Sequence, residues 1–228
     1  MKGSFFYHLP KALLAPINSN TQAKAMRKQL LKKYYDLLEW LLSPLAGRSI
    51  SANAISCLSL MLSFIAFFMY AKGLFCAGGV MLLMSGFADT MDGTIARLSG
   101  TSSKFGALLD SSLDRWSDFF IYAGLLIYYR QSPVIYAVLL CIIGSFMVSY
   151  VKARAESLGR VRVVGLMQRP ERVVLLAVAS FSVPVIACFA PSNREAMLIA
   201  VLYLMAILTN ITFLHRLFAA KKDLGQEK

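Results

Sequence analysis

The chain has 228 residues, of which 57% are hydrophobic and only 16% are charged, against about 45–50% and 25% in ordinary soluble domains. This composition excludes intrinsic disorder, which requires few apolar residues, and the four widely separated cysteines exclude a disulfide scaffold. The net charge of +12 permits nucleic-acid binding, but the positions of the charges argue against it.

The first 50 residues form a basic segment that does not resemble a signal peptide, because its apolar run at residues 5–9 is short and is followed by Pro10 and Lys11. Residues 24–42 alternate leucines and aromatic residues with charges, which is typical of an amphipathic helix. We predict that this helix lies on the cytoplasmic membrane surface, with its lysines at anionic headgroups and Trp40 at the interface. The same pattern also suits a helix packed on the bundle or on a second subunit.

Six apolar segments follow, each close to the roughly 20 residues that a membrane-spanning helix needs. They are separated by short polar or Gly/Pro breaks and cover residues 53–71, 74–95, 105–129, 134–155, 173–190 and 196–217. We therefore predict an all-α integral membrane protein with six transmembrane helices and an N-terminal amphipathic surface helix. Residues 1–50 form a cytoplasmic N-terminal segment, residues 51–218 the six-helix domain, and residues 219–228 a cytoplasmic tail.

The basic residues predict the orientation of these segments. All but three of the 24 Lys and Arg residues lie before the first segment, around the second-to-third and fourth-to-fifth connections, or at the C-terminal end. Because cytoplasmic loops carry the excess of Lys and Arg, we expect both termini on the cytoplasmic side of a prokaryotic inner membrane. The positive charge is then a signal of topology, and nucleic acid is not an expected partner.

Acidic residues are concentrated where the second segment ends and the third begins. Five of the twelve are found there: Asp89, Asp92, Asp110, Asp114 and Asp118. Spacings of three and four residues place the first two on one helix face and the last three on another. A charge within the membrane costs roughly 2.5–3.5 kcal/mol, so such residues indicate a functional site.

If the two stripes face each other, four carboxylates crowd one site and need protons or cations nearby. A proton relay and a bound divalent metal (Mg²⁺, Ca²⁺ or Mn²⁺) both satisfy the charges. Gly93 and Ala96 leave open space beside the acids, and Arg97 adds a donor for phosphate, which favours metal and a phosphate-bearing ligand. A small cation or proton carrier is the main alternative, but the acids lie on one membrane side and the halves show no inverted repeat. A buried ion-pair network, with glycines serving helix packing, is the other alternative.

The acids belong to a longer pattern, which reads Asp89-x2-Asp92-Gly93-x2-Ala96-Arg97-x8-Gly106-x3-Asp110-x3-Asp114. This pattern resembles the full signature of the CDP-alcohol phosphatidyltransferase family. The resemblance implies six transmembrane helices, a homodimer and a polar cavity open to the cytoplasm. It also implies a reaction whose donor, CDP-diacylglycerol, lies in the membrane lipid. In this reaction the hydroxyl of a polar alcohol attacks the lipid-side phosphorus of the donor and expels CMP.

The same resemblance implies roles for individual residues. The metal ligands are Asp89, Asp92, Asp110 and Asp114, which hold Mg²⁺ or Mn²⁺, with two ions in each site. Asp114 is also the catalytic general base. The residues implied in donor binding are Gly93, Ala96 and Arg97.

Two further residues lie near the signature. Asn53 lies in a stretch that resembles the Thr-Pro-Asn opening of the family's first span, with Ala52 in place of Pro. It either contacts the donor or caps the first helix. Asp118 lies outside the signature, and we expect it to pair with a cation such as Arg115.

Cations lie near the ends of the last three segments. They favour an anionic acceptor, since phosphate accepts charge-assisted hydrogen bonds. The positive-inside rule explains some of these cations without an acceptor. The runs around residues 149–156 and 169–172 resemble the phosphatidylinositol-phosphate synthase branch of the family. This resemblance implies acceptor binding by Ser149, Lys152, Arg154, Arg172 and Arg216. Inositol 1-phosphate is the favoured acceptor, and glycerol 3-phosphate and neutral alcohols such as serine or inositol remain open.

Overall fold

The structure is a computed structural model, and it describes residues 52–224 except 102, 160–164 and 166, together with Lys33 and Asp36. Lys33 and Asp36 are helical and exposed. The rest of the predicted amphipathic helix lies outside the described residues.

Six long helices account for most of the described chain. They are α1 (Ala52–Ala71), α2 (Phe75–Leu98), α3 (Lys104–Tyr128), α4 (Val134–Ser157), α5 (Arg169–Phe189) and α6 (Ala196–Leu224), with a 3₁₀ turn at Pro191–Asn193 before α6. Each helix coincides with one predicted apolar segment. Over the described ranges, all regular secondary structure is helical.

The helix ends differ most from the prediction in α5 and α6. The α5 helix begins at Arg169, because Pro170 fits the first turn and Glu171 favours the positive end of the helix dipole. The α6 helix continues to Leu224, past the domain end predicted at residue 218, and Lys221 and Lys222 lie in its last turn. Basic side chains stabilise a helix at this end.

Four of the six helices are long and apolar enough to cross a membrane: α1, α4, α5, and α6 with the turn before it. The α2 and α3 helices have 24 and 25 residues, so they have sufficient length, but they carry the aspartates. Many large apolar side chains are exposed on the helices, as lipid contact allows. The chain is therefore an integral membrane protein.

The α1 helix packs on both of the helices that carry the aspartates. The α1 helix packs on both α2 and α3, α5 packs on α2 and α6, and α4 packs on α3 and α6. Contact between α1 and α3 is close at Gly124, where a Cβ atom would lie 2.5 Å from the carbonyl oxygen of Phe67. Serines join α1 to α2, because Ser63 and Ser85 share a hydrogen bond of 2.7 Å between their hydroxyls. The acids of α2 and α3 are thereby held beside the same helix.

Candidate active site

Three carboxylates from two helices meet beside α1. One oxygen each from Asp89 and Asp92 on α2 and from Asp110 on α3 all lie within 4.8 Å of one another. Asp92 is buried, with 4% of its surface exposed, and the other two are half-buried. The acidic stripes of α2 and α3 therefore face each other. We call these three residues the carboxylate cluster.

The composition of this cluster fits a divalent metal ion. Carboxylate oxygens are hard ligands of the kind that Mg²⁺ and Mn²⁺ prefer. Three like charges at this distance repel each other unless a cation compensates them. The cluster therefore has the ligand chemistry for such an ion.

A serine from α1 supports the cluster. Ser56 Oγ donates a hydrogen bond of 2.5 Å to Oδ2 of Asp92, and both residues are buried. The sequence prediction assigned no role to Ser56. The one sequence feature that could have pointed to Ser56 is its position, one helical turn after Asn53 and on the same face of α1.

The Arg169 guanidinium from α5 lies among the remaining acids. Its Nη1 is 2.5 Å from Oδ2 of Asp89 and 2.9 Å from Oδ1 of Asp114, and its Nε is 3.5 Å from Oδ1 of Asp118. One arginine thus contacts carboxylates of both α2 and α3. The sequence prediction placed Arg169 among the cations at the head of α5 but not among the site residues.

Asp118 is paired, as predicted, but not with Arg115. Its Oδ2 accepts a hydrogen bond of 2.6 Å from Nη2 of Arg172, which is buried with 3% of its surface exposed. The Arg115 guanidinium instead donates to the backbone carbonyl of Ser111 in its own helix. Asp118 therefore faces α5, where Arg169 and Arg172 both reach it.

The residues predicted to bind the donor surround an open region next to the cluster. A Cβ atom added at Gly93 would have only Nη1 of Arg97 within 4 Å, at 3.7 Å. Arg97 is exposed and donates a 3.1 Å hydrogen bond to Thr94 Oγ1, and Ala96 is half-buried. Small side chains therefore leave space here, with a guanidinium beside it.

Asn53 lies close to the start of α3. Its Oδ1 would be 4.0 Å from a Cβ atom added at Gly106, and its side chain is exposed. Asn53 lies inside α1, which already includes Ala52, so the alternative that it caps this helix is wrong. Asn53 is thus near the signature glycine of α3.

The structure brings together only some of the residues predicted to bind the acceptor. Lys152 and Arg216 line one cavity of about 20 Å³ between α4 and α6. Arg216 is buried and donates a 2.8 Å hydrogen bond to the carbonyl of Val148, and Lys152 is exposed and lies 3.8 Å from Glu156.

The remaining predicted acceptor residues lie elsewhere. Arg172 contacts Asp118 in the interior, and Ser149 is half-buried on α4. Arg154 is exposed and interacts with Ser157 of its own helix, with 3.4 Å from its Nη1 to the serine hydroxyl. The described contacts of Arg154 thus give it no link to the cavity.

A helical membrane protein with a carboxylate cluster suited to a divalent metal, beside an open region with an arginine, has the features of a metal-dependent enzyme for a phosphate-bearing substrate. The sequence model of the CDP-alcohol phosphatidyltransferase family matches residues 49–213. The chain therefore belongs to the CDP-alcohol phosphatidyltransferase family. It is an enzyme of phospholipid biosynthesis that transfers a substituted phosphate group from a CDP-alcohol.

Similar proteins include synthases of inositol phosphate lipids. The archaetidylinositol phosphate synthase of Pyrococcus horikoshii is 33% identical over 201 residues, covering 87% of this chain and 98% of the relative. The phosphatidylinositol phosphate synthase of Streptomyces avermitilis is 34% identical over 68% of this chain and 65% of the relative.

The fold matches that of a solved relative. The crystal structure of the Mycobacterium tuberculosis phosphatidylinositol phosphate synthase with CDP-DAG bound has a TM-score of 0.70 and 27% identity, covering 81% of this chain and 94% of that one. The same enzyme in complex with manganese and citrate has a TM-score of 0.70 and 26% identity, covering 80% and 88%.

Proposed function

We propose that this enzyme transfers the phosphatidyl group of CDP-diacylglycerol to inositol 1-phosphate, giving phosphatidylinositol phosphate and CMP. The observation that carries the proposal is the meeting of Asp89, Asp92 and Asp110 next to the open region at Gly93. The names of the relatives, which are synthases of inositol phosphate lipids, support the choice of acceptor.

In this proposal the carboxylate cluster holds the divalent metal, Mg²⁺ or Mn²⁺, with Asp114 as a further ligand and two ions in the site. A metal held by these residues would neutralise the diphosphate and make CMP a better leaving group. The donor lies over Gly93 and Ala96, where a nucleotide can approach the helix backbone. Arg97 and Asn53 then contact the donor.

Asp114 is the proposed general base. It takes the proton of the acceptor hydroxyl, the hydroxyl oxygen bonds to the lipid-side phosphorus, and the bond from that phosphorus to the CMP oxygen breaks. Binding both substrates at one site places the attacking oxygen in line with this bond. The observation in support is that Asp114 is half-buried and lies in contact with the same arginine as Asp89.

The acceptor phosphate is proposed to bind at the cationic side of the site. Lys152 and Arg216 lie close together between α4 and α6, beside a cavity with room for about one water. Their charge therefore supports this choice, because phosphate accepts charge-assisted hydrogen bonds from such groups. Ser149, Arg154 and Arg172 complete the proposed set. Glycerol 3-phosphate has the same phosphate chemistry, so it is the second acceptor to test, followed by neutral alcohols.

The membrane arrangement is also a proposal. All six helices cross the bilayer, the N-terminal segment lies on its surface, and both termini and the active site face the cytoplasm of a prokaryotic cell. The distribution of Lys and Arg supports this orientation. The enzyme works as a homodimer.

The test is an acceptor panel with the full-length protein in detergent or vesicles. CDP-diacylglycerol and Mn²⁺ or Mg²⁺ are supplied with inositol 1-phosphate, glycerol 3-phosphate, inositol or serine, and CMP and the lipid products are identified by mass. We expect CMP release and phosphatidylinositol phosphate with inositol 1-phosphate, and neither product after chelation. Product with a different acceptor would overturn the acceptor assignment, and no CMP with any acceptor would overturn the proposed reaction and favour an ion carrier.

A further inference from the structure

Thr212 of α6 holds the chain that leads into α5. Its Oγ1 accepts a hydrogen bond of 3.2 Å from the backbone N–H of Met167, and both residues are buried. Met167 lies two residues before Arg169, at which α5 begins. The threonine hydroxyl therefore fixes the start of α5 against α6.

Gly165 packs on the same face of α6. Its φ of +123° lies in the region that favours glycine, and a Cβ atom there would overlap Cγ2 of Thr212 and lie 3.5 Å from Nε of Arg216. Thr212 and Arg216 are four residues apart, so both side chains lie on one face of α6. The backbone at Gly165 thus lies against both of them.

Arg216 extends this contact to α4. It is buried, and its Nη1 donates a hydrogen bond of 2.8 Å to the carbonyl oxygen of Val148. The face of α6 that carries Thr212 and Arg216 therefore contacts α4 as well as the chain before α5. The proposed acceptor residues lie on these same three helices, with Ser149, Lys152 and Arg154 on α4, Arg172 on α5 and Arg216 on α6.

The cations of α5 and of α6 are held by different partners. Arg169 and Arg172 of α5 contact aspartates of α2 and α3, whereas Arg216 of α6 contacts α4. The hydrogen bond from Met167 to Thr212 links the two sets. It therefore contributes to the distance between the α5 arginines and Arg216.

We propose that Thr212 is a positioning residue of the acceptor site, which keeps Arg216 of α6 at the correct distance from Arg172 of α5. This inference rests on the proposed function, in which both arginines bind the acceptor phosphate. Without the hydroxyl, the buried N–H of Met167 loses this acceptor, which is unfavourable, and the chain shifts to find another. The α5 arginines keep their aspartate partners, so the shift alters the acceptor site more than the carboxylate cluster.

The first measurement is the affinity of the full-length protein in detergent for inositol 1-phosphate, titrated calorimetrically with Mn²⁺ and without donor. Thr212→Val keeps the shape of the side chain and removes the hydroxyl. We expect about 10-fold weaker binding, because displacing a positioned group by about 1 Å costs up to about 100-fold. Thr212→Ser keeps the hydroxyl, so its affinity is expected to stay within about twofold of the wild type. A purely structural role predicts lower thermal stability with unchanged affinity of the folded protein.

Thr209→Val is the matched control on the same helix. Thr209 is buried three residues before Thr212, and its Oγ1 donates a hydrogen bond of 2.7 Å to the carbonyl oxygen of Met205 within α6. Its loss leaves the chain before α5 in place. The affinity for inositol 1-phosphate is therefore expected to remain within about twofold of the wild type.

Gly165→Ala tests the same contact from the other side and keeps the experiment informative if Thr212→Val fails to fold. The added methyl group overlaps Cγ2 of Thr212, so binding of inositol 1-phosphate is expected to weaken. Thr212→Ser removes that Cγ2 and is expected to restore part of the loss in the double variant. Strain at the positive φ is the same in both backgrounds, so equal losses in the two would contradict the inference.

Steady-state kinetics is the second readout. Thr212→Val is expected to raise the KM for inositol 1-phosphate about 10-fold and to leave the donor KM and Mn²⁺ affinity unchanged. Unchanged affinity in folded Thr212→Val, an equal loss in Thr212→Ser, or equal rises in both KM values would overturn the inference, as would a wild type that binds no inositol 1-phosphate. Failure of the wild type to release CMP with any acceptor would instead overturn the proposed function, and the binding titrations would still decide the role of Thr212.

Discussion

Ser56 on α1 and Asp92 on α2 are joined by a hydrogen bond of 2.5 Å between the serine hydroxyl and a carboxylate oxygen, 36 residues apart in sequence. Both residues are buried. A hydrogen bond to a charged group contributes about 1.5–3 kcal/mol, so this contact fixes the orientation of Asp92. The α1 helix, which carries no acid of the cluster, thereby orients one carboxylate of the cluster.

Ser56→Ala is expected to weaken Mn²⁺ binding by about 10-fold or more, because groups that orient a metal ligand contribute this much to affinity. Titration of Mn²⁺ into the purified protein measures the effect. Ser59→Ala is the matched control, since Ser59 lies about one turn further along α1 and donates to the carbonyl of Ser85 instead. Equal losses in both variants would show that α1 packing, rather than the bond to Asp92, is responsible.

Asp114→Asn is expected to reduce turnover by about 100-fold or more, which is the scale of general base catalysis. Binding of CDP-diacylglycerol in the presence of metal should persist, because the carboxylate cluster is intact. Equilibrium binding of a labelled donor, together with CMP release, separates the two effects. Loss of donor binding would identify Asp114 as chiefly a metal ligand.

Gly93 and Gly124 provide a test of the donor region against fold stability. Gly93→Ala meets only an arginine nitrogen at 3.7 Å, so thermal stability should be unchanged while donor KM rises. Gly124→Ala places its methyl group 2.5 Å from the backbone oxygen of Phe67, so it should destabilise the protein by about 1–3 kcal/mol. A Gly93→Ala enzyme with normal donor KM would remove this position from the donor site.

Lys152→Ala is expected to raise the KM for a phosphorylated acceptor several-fold and to leave the donor KM unchanged. Stability should change little, because the side chain is 47% exposed and its ion pair with Glu156 is long, at 3.8 Å. Glu156→Gln is the control, since it removes the same ion pair and keeps the cation. Steady-state kinetics with each substrate varied in turn measures the effect, and a change in donor KM alone would exclude Lys152 from the acceptor site.

Arg172 is a poorer choice for this test because of its buried contact with Asp118. Arg172→Ala leaves the Asp118 carboxylate buried without its shortest ion-pair contact, and such changes cost about 3–5 kcal/mol. Thermal unfolding in detergent should therefore show a large loss of stability. A stable Arg172→Ala protein would show that the ion pair contributes little, and its acceptor KM would then become informative.

The positions of the helices and the acidic stripes could be predicted because both follow local rules. Apolar segments of membrane length define α1 to α6, and spacings of three and four residues put Asp89 beside Asp92 and align Asp110 with Asp114. The family signature lies entirely on α2, α3 and their connection, so the resemblance, and not the spacing alone, predicted that its acids meet.

The contributions of α1 and α5 to the site were not predictable in the same way. Ser56 and Arg169 reach the acids only because α1 and α5 pack on α2, and helix periodicity does not specify which helices are neighbours. The predicted partner of Asp118, Arg115, was wrong for the same reason. Arg115 is close in sequence, whereas Arg172 is 54 residues away and contacts the acid across the bundle.

The most direct test of the account is whether a metal ion held by Asp89, Asp92 and Asp110 touches the diphosphate of the donor. Pulsed electron nuclear double resonance on protein-bound Mn²⁺ measures ³¹P coupling after CDP-diacylglycerol is added. We expect strong ³¹P coupling in the wild type and its loss in Asp92→Asn. A wild-type protein that binds the donor with no ³¹P coupling to Mn²⁺ would contradict the account.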